Sequence, residues 1–132
     1  MAGGRASKAK GSGYERELAA WLNERVGIRS RRALLSGGGR NDGGADLDGV
    51  PHVHIEAKRT EAINVKAALR QAEASIAKGE HQPDDKPMPV VVTRQNRMAT
   101  GESLVVMRAD DWVKLYSAWL MERSRDSETK RE

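Results

Sequence analysis

Residues 51–58 read PHVHIEAK, and their alternation decides how the rest of the chain is placed. Successive side chains of an extended strand point to opposite faces. Val53, Ile55 and Ala57 then share one face, while His52, His54, Glu56 and Lys58 share the other. The first face is built for a core. The second either meets water, as a cross-strand ion-pair surface of small energetic value, or lines a site.

On the amino-terminal side, ADLDG (45–49) reads as a very short strand running into a turn, so 45–48 and 51–58 form a hairpin around Gly49. In such a hairpin Asp46 comes beside Glu56 and Lys58 across the sheet. Asp48 shares the strand face of Asp46, but it precedes Gly49 in the turn, which favours Asp46. IRSRRALL (28–35) reads as a strand and SGGGRNDGG (36–44) as a loop. Tyr14, Leu18, Trp21, Leu22 and Val26 recur every three or four residues, predicting a helix from near Ser12 or Gly13 to a Gly27 cap.

On the carboxy-terminal side, residues 64–78 read as a helix with Asn64 as N-cap and Val65, Leu69, Ala72 and Ile76 as its apolar stripe. MPVVVTRQ (88–95) and SLVVMR (103–108) read as strands. A helix over 109–121 places Trp112, Leu115, Tyr116, Trp119 and Leu120 on its inner face, and its tryptophans suit a core or a dimer interface. The order α-β-β-β-α-β-β-α predicts an α/β domain with one central, mixed, five-stranded sheet flanked by helices. A Gly-rich basic arm (1–11), a single domain (12–121) and a solvated tail (122–132) complete the organisation.

The whole chain has 132 residues, enough for one core. It has no cysteine, which excludes disulfides and thiolate chemistry. Aromatics are 4% and phenylalanine is absent, so stacking of bases on an aromatic platform is disfavoured. No apolar run is long enough to span a membrane, and a soluble, cytoplasmic protein of a bacterial, archaeal or phage-infected host is expected. The net charge is +4, and its basic part is clustered. Lys8 and Lys10 precede any acid, and Arg29, Arg31, Arg32 and Arg40 crowd an acid-free stretch. That pattern suits a polyanion such as DNA.

Two nearby carboxylates raise each other's pKa unless a cation joins them. Asp46 and Glu56 therefore read as oxygen ligands of a hard divalent ion, with the Ala57 carbonyl as a further candidate. Lys58 then orients or deprotonates a water, or meets negative charge on a phosphate. This set of roles fits phosphodiester hydrolysis. His52 and His54 make a minor zinc alternative, since no third histidine is close in sequence. The Gly-rich loop lacks a Gly-Lys-Ser/Thr ending, which argues against a nucleotide cofactor. Ser36 and Arg40 are its candidate phosphate contacts, against the alternative of a plain surface loop.

Asp46 followed by Glu56-Ala57-Lys58 resembles the PD-(D/E)XK nuclease motif. With KGSGYEREL (10–18) and the Arg-rich strand before it, the stretch of roughly 8–76 is most similar to the archaeal-type Holliday junction resolvases and their phage-encoded relatives. The resemblance implies a restriction-endonuclease-like core, Mg²⁺ with Mn²⁺ as a substitute, a homodimer, and paired cuts in branched DNA. It implies that Asp46 and Glu56 hold the metal, that Lys58 is the catalytic lysine, and that Glu15 is an extra acid reaching the metal from the first helix. Gln71 stands where several such nucleases carry a polar side chain that reaches the site, although its spacing also suits a solvated face. The sequence departs from the pattern at Ala45, where a proline is usual, in the longer Gly-rich loop, and in the second aspartate, Asp48. A restriction-like, nicking or repair nuclease on duplex or flapped DNA, and a non-catalytic DNA-binding protein, are the competing expectations.

Overall fold

MPVVVT (88–93) is apolar on both faces, as a strand covered from two sides must be. In the computed structural model this segment is β4 (Met88–Thr93), with all four residues Val90–Thr93 buried. The structure describes the backbone of residues 3–34, 44–59 and 61–131, and the side chains of 13–34, 44–59 and 61–130. Ser36, Arg40 and the side chains of Lys8 and Lys10 lie outside the described residues.

β4 runs parallel to β3 (Val53–Lys58) in the register Ile55↔Val90, Glu56↔Val91, Ala57↔Val92 and Lys58↔Thr93. A parallel pair needs a crossover, and α2 (Val65–Lys78) supplies it. The Asn64 side chain accepts from the Ala67 N–H, as the expected N-cap. Ala68 and Leu69 of α2 pack on Val91. The opposite face of the strands, Ile55, Ala57, Val90 and Val92, packs on Tyr14, Leu18 and Ala19 of α1 (Gly3–Val26). The strands are thus sandwiched between two helices.

β5 (Leu104–Val106) adds to β4 antiparallel, closing a sheet of order β3-β4-β5. β1 (Arg31–Arg32) and β2 (Leu47–Asp48) form a separate antiparallel pair. The chain order is the expected one, but the single five-stranded sheet is not formed. The cause is local. The Asp46 N–H donates to the Ile55 carbonyl (2.9 Å), and there the ladder between β2 and β3 stops. The next donor, the Ala57 N–H, is taken by the Asp46 carboxylate (2.8 Å). The Asp46 carbonyl instead accepts from the Ala33 N–H (2.9 Å), on the β1 side. The expected hairpin is therefore a contact of two short sheets. His52 lies in its turn at φ 66° and not on the strand.

Both long helices extend beyond their expected bounds. α1 begins at Gly3, within the stretch read as an arm, and ends before Gly27 at φ 80°. Val26, expected on the buried stripe, is exposed. α3 (Ala109–Arg131) takes in most of the carboxy-terminal tail. Its expected inner face is not inner: from Trp112 to Lys130 every residue is exposed. Just before its first turn, the Arg108 guanidinium holds Glu73 of α2 through two bonds of 2.9 and 3.1 Å. Among the described residues, no helix is long and apolar enough to cross a membrane.

Gly49 closes the β2–β3 turn at φ 80°, and a Cβ there would overlap the Arg29 carbonyl oxygen. Gly49→Ala combines a left-handed backbone with a collision against main chain. It should destabilise the protein by on the order of 2–3 kcal/mol, read as a lower midpoint in urea with an unchanged slope.

Candidate active site

Alternation along β3 puts His54, Glu56 and Lys58 on the face of Val91, opposite Ile55 and Ala57. That polar face is not wet, for Glu56 is 3% exposed and His54 is buried with it. The His54 Nε2 lies 3.4 Å from the Glu56 Oε1. His52 is exposed and lies 3.9 Å from Asp85, so the two histidines do not form a pair.

Asp46 is brought to Glu56 by the interaction that ends the ladder. Its Oδ2 accepts from the N–H of Ala57, the residue after Glu56, and Asp46 as a whole is 8% exposed. Burial pushes its pKa up, the Glu56 charge pushes it further, and the result is about 7 despite the Ala57 N–H and Lys58. Asp48 instead stands opposite Arg31 in the β1–β2 register.

Glu15 arrives from α1 and is also 8% exposed. The Arg32 Nε donates to its Oε2 at 3.0 Å, joining α1 to β1. Burial raises the Glu15 pKa, Arg32 opposes the rise, and the charges of Glu56 and Lys58 are both felt at Glu15. Glu15, Asp46, Glu56 and Lys58 thus form one electrostatic group drawn from three elements. Arg29 and Arg31 are exposed on the approach to and along β1, whereas the Arg32 guanidinium is held by Glu15. Gln71 is exposed on α2.

The donor set has the chemistry of a hard-cation site: buried carboxylate oxygens that repel one another until a positive charge lies between them. Asp46 and Glu56 suit such an ion. Among the described residues, no three His, Cys, Asp or Glu side chains already converge as a ligand group, and Glu15 is turned to Arg32.

Arg94 escapes a reading by periodicity, because it sits just beyond the apolar run of β4. Its N–H donates to the Lys58 carbonyl (3.0 Å), which carries the β3–β4 pairing one step past the lysine. Its guanidinium is buried over the Tyr14 ring, 4.9 Å from the centroid, and meets Glu17 at 2.8 Å. It also donates to the Thr100 hydroxyl (3.1 Å). Tyr14 and Glu17 flank Glu15 on α1, so Arg94 fixes the helix segment that presents Glu15. A cation directly after a buried strand is the one signal in the sequence that marks it.

A family model described as "Phage putative PDDEXK endonuclease" matches residues 6–130. The chain belongs to this family. No curated protein and no solved structure matches it. The match covers nearly the whole chain, α1 and α3 included.

The Asp46 pKa gives a signed expectation for the metal-free protein. The folded value, about 7, lies above the ordinary carboxylate value. Its stabilising contribution is full below about pH 4 and is lost as pH rises through about 7. In EDTA, wild type should therefore lose thermal stability between about pH 5 and pH 8. Asp46→Asn keeps an oxygen for the Ala57 N–H and should be flatter, melting roughly 5 °C above wild type at the upper pH. Parallel curves for the two proteins would contradict this account.

Proposed function

We propose that the protein is a metal-dependent DNA endonuclease that acts on branched DNA, resolving four-way junctions by paired cuts as a homodimer. The observation that carries the nuclease part is the buried Asp46–Glu56 pair beside Lys58, in a chain of a PDDEXK family. The junction preference is supported by the resemblance in residues 10–18, on the helix that bears Glu15.

In this reading Asp46 and Glu56 hold a divalent ion, Mg²⁺ with Mn²⁺ as its substitute. Such an ion supplies Lewis-acid polarisation of the phosphate and lowers the pKa of water. The chain's own residues do the rest. The Ala57 N–H fixes one oxygen of Asp46 and leaves the other to face the site. Lys58, on the Glu56 face, orients the attacking water or meets the charge that grows on the phosphate. The water oxygen bonds to phosphorus and gives up a proton, one P–O ester bond breaks, and the leaving oxygen takes up a proton in exchange. Glu15 joins the ligand set on rotating away from Arg32, which leaves that guanidinium for the DNA backbone. Arg29 and Arg31, with Lys8, Lys10, Ser36 and Arg40, are the other proposed backbone contacts, and Gln71 is the proposed contact from α2. Each phosphate contact adds to the salt dependence of binding.

The test is cleavage of a labelled four-way junction beside a matched linear duplex, with Mg²⁺, with Mn²⁺ and with EDTA. Symmetric cuts near the branch, dependent on metal and absent from the duplex, are expected. Equal cutting of both substrates would retain the nuclease and remove the junction preference. Binding without cutting under either metal would make this a DNA-binding protein with a structural acid pair. Lys58→Ala should lower the cleavage rate roughly 10²–10⁴-fold while the protein stays folded. Asp46→Asn and Glu56→Gln should abolish the heat of Mg²⁺ binding in calorimetry.

A further inference from the structure

Each of the two acids at the candidate site has one oxygen already engaged by the protein. The Oδ2 of Asp46 accepts from the Ala57 N–H at 2.8 Å. The Oε1 of Glu56 meets the Nε2 of His54 at 3.4 Å. The first tie stands in for a missing rung between the two sheets. The second joins two side chains of one strand and completes no ladder.

His54 and Glu56 are two apart on β3, so their side chains leave the same face. Such neighbours start about 6.6 Å apart along the strand, and the two side chains must lean together to close that gap to 3.4 Å. Both are 5% exposed. An exposed carboxylate turns among solvent donors, whereas a buried one takes its orientation from the donors that the protein supplies. Among the described residues, His54 is the hydrogen-bond partner of the Glu56 carboxylate. An ionised carboxylate only accepts, so the imidazole is the donor and carries its proton on Nε2. The ring is not a third ligand in waiting. Its Nε2 is turned to Glu56, and among the described residues no three His, Asp or Glu side chains converge on one point.

We infer that His54 is the positioning residue of Glu56: its Nε2–H holds Oε1, so that Glu56 offers Oε2 alone to a cation between the two acids. This inference rests on the divalent-ion part of the proposed function and adds to it a residue that selects the ion. With Asp46 held through Oδ2 in the same manner, the pair offers one oxygen from each acid. Mg²⁺ is commonly bound through one or two carboxylates and keeps several waters, while Ca²⁺ takes six to eight oxygens and often both oxygens of a carboxylate. Two single oxygens suit the smaller ion. Ca²⁺ would gain the second oxygen of Glu56 only by breaking the bond from His54. The imidazole therefore favours Mg²⁺ over Ca²⁺ without touching either ion. A donor of this kind beside a metal ligand typically contributes about 10–100-fold to affinity.

Calorimetry with Mg²⁺ alone and with Ca²⁺ alone, on the full chain stripped of metal, tests the assignment. Wild type should bind Mg²⁺ more tightly than Ca²⁺. His54→Gln keeps an N–H donor at about the same reach and should stay within roughly twofold of wild type for both ions. His54→Met matches glutamine in length but has no donor. It should bind Mg²⁺ about tenfold more weakly and lose less for Ca²⁺, so that the preference for Mg²⁺ narrows by roughly threefold or more. His54→Leu is a second side chain without a donor, and thermal melting shows which variants are folded. A ring that only fills space would leave the preference unchanged in every folded variant, and that result would overturn the inference. So would a His54→Gln protein as weak as His54→Met, or a wild type that prefers Ca²⁺. Failure of the underlying reading looks different: wild type would then bind neither ion, and the metal-dependent nuclease would fall together with the role of His54.

Discussion

Asp46 holds the structure at the point where two sheets and the candidate site meet. Its main chain ends one ladder and begins another: the N–H goes to Ile55 of β3 and the carbonyl to Ala33 beside β1. Its side chain then takes the Ala57 N–H, which the ladder has left open. A buried N–H without a partner is costly, so the carboxylate is structural before it is anything else. The same bond holds it beside Glu56, where neither acid is well solvated. A fold with no cation there sets local hydrogen bonding against electrostatics. A positive charge placed between the two acids relieves that opposition.

Around this point the elements act through one another. Arg32 reaches from β1 to Glu15 on α1. Arg94 reaches from the end of β4 to Glu17 and Tyr14 on the same helix, and Tyr14 donates its hydroxyl to Ser103. Asn23 and Ser30 clasp the turn between α1 and β1 with bonds in both directions, of 2.6 and 2.9 Å. The segment of α1 that carries Glu15 is therefore fixed at three places by side chains whose partners lie far along the chain. The site is assembled mainly by polar ties, and the apolar contacts of Leu18 and Ala19 set only the distance of the helix from the sheet.

Much of this was legible in the residues. The alternation in PHVHIEAK placed Ile55 and Ala57 on the core side and Glu56 with Lys58 on the other, and the Asn64 cap and the Gly27 stop stand where their chemistry puts them. What was not legible has physical causes. Alternation says which face a residue occupies but not whether that face is wet, and Glu56 is buried because α2 covers the strands. The split of the sheet depends on one side chain replacing a carbonyl, and two-residue strands carry no periodicity to read. The stripe of α3 is apolar, as its spacing predicts, but it faces outward, since periodicity cannot name the surface that an element packs against. Arg94 carries no periodic signal, and its partners on α1, Glu17 and Tyr14, stand 77 and 80 residues before it.

Asp46 and Glu56 differ in what their arms must reach. Asp46 closes a small ring, with the backbone N–H of residue 46 bound to residue 55 and the side chain of residue 46 bound to the amide of residue 57. A glutamate there would have one more methylene to place between the backbone and that amide. Glu56 closes no such ring, since its neighbours are a ring nitrogen at 3.4 Å and the charges of the site. A longer or shorter arm there changes only how far the oxygens project. Asp46 is thus at once an acid of the candidate site and a piece of the backbone's bonding.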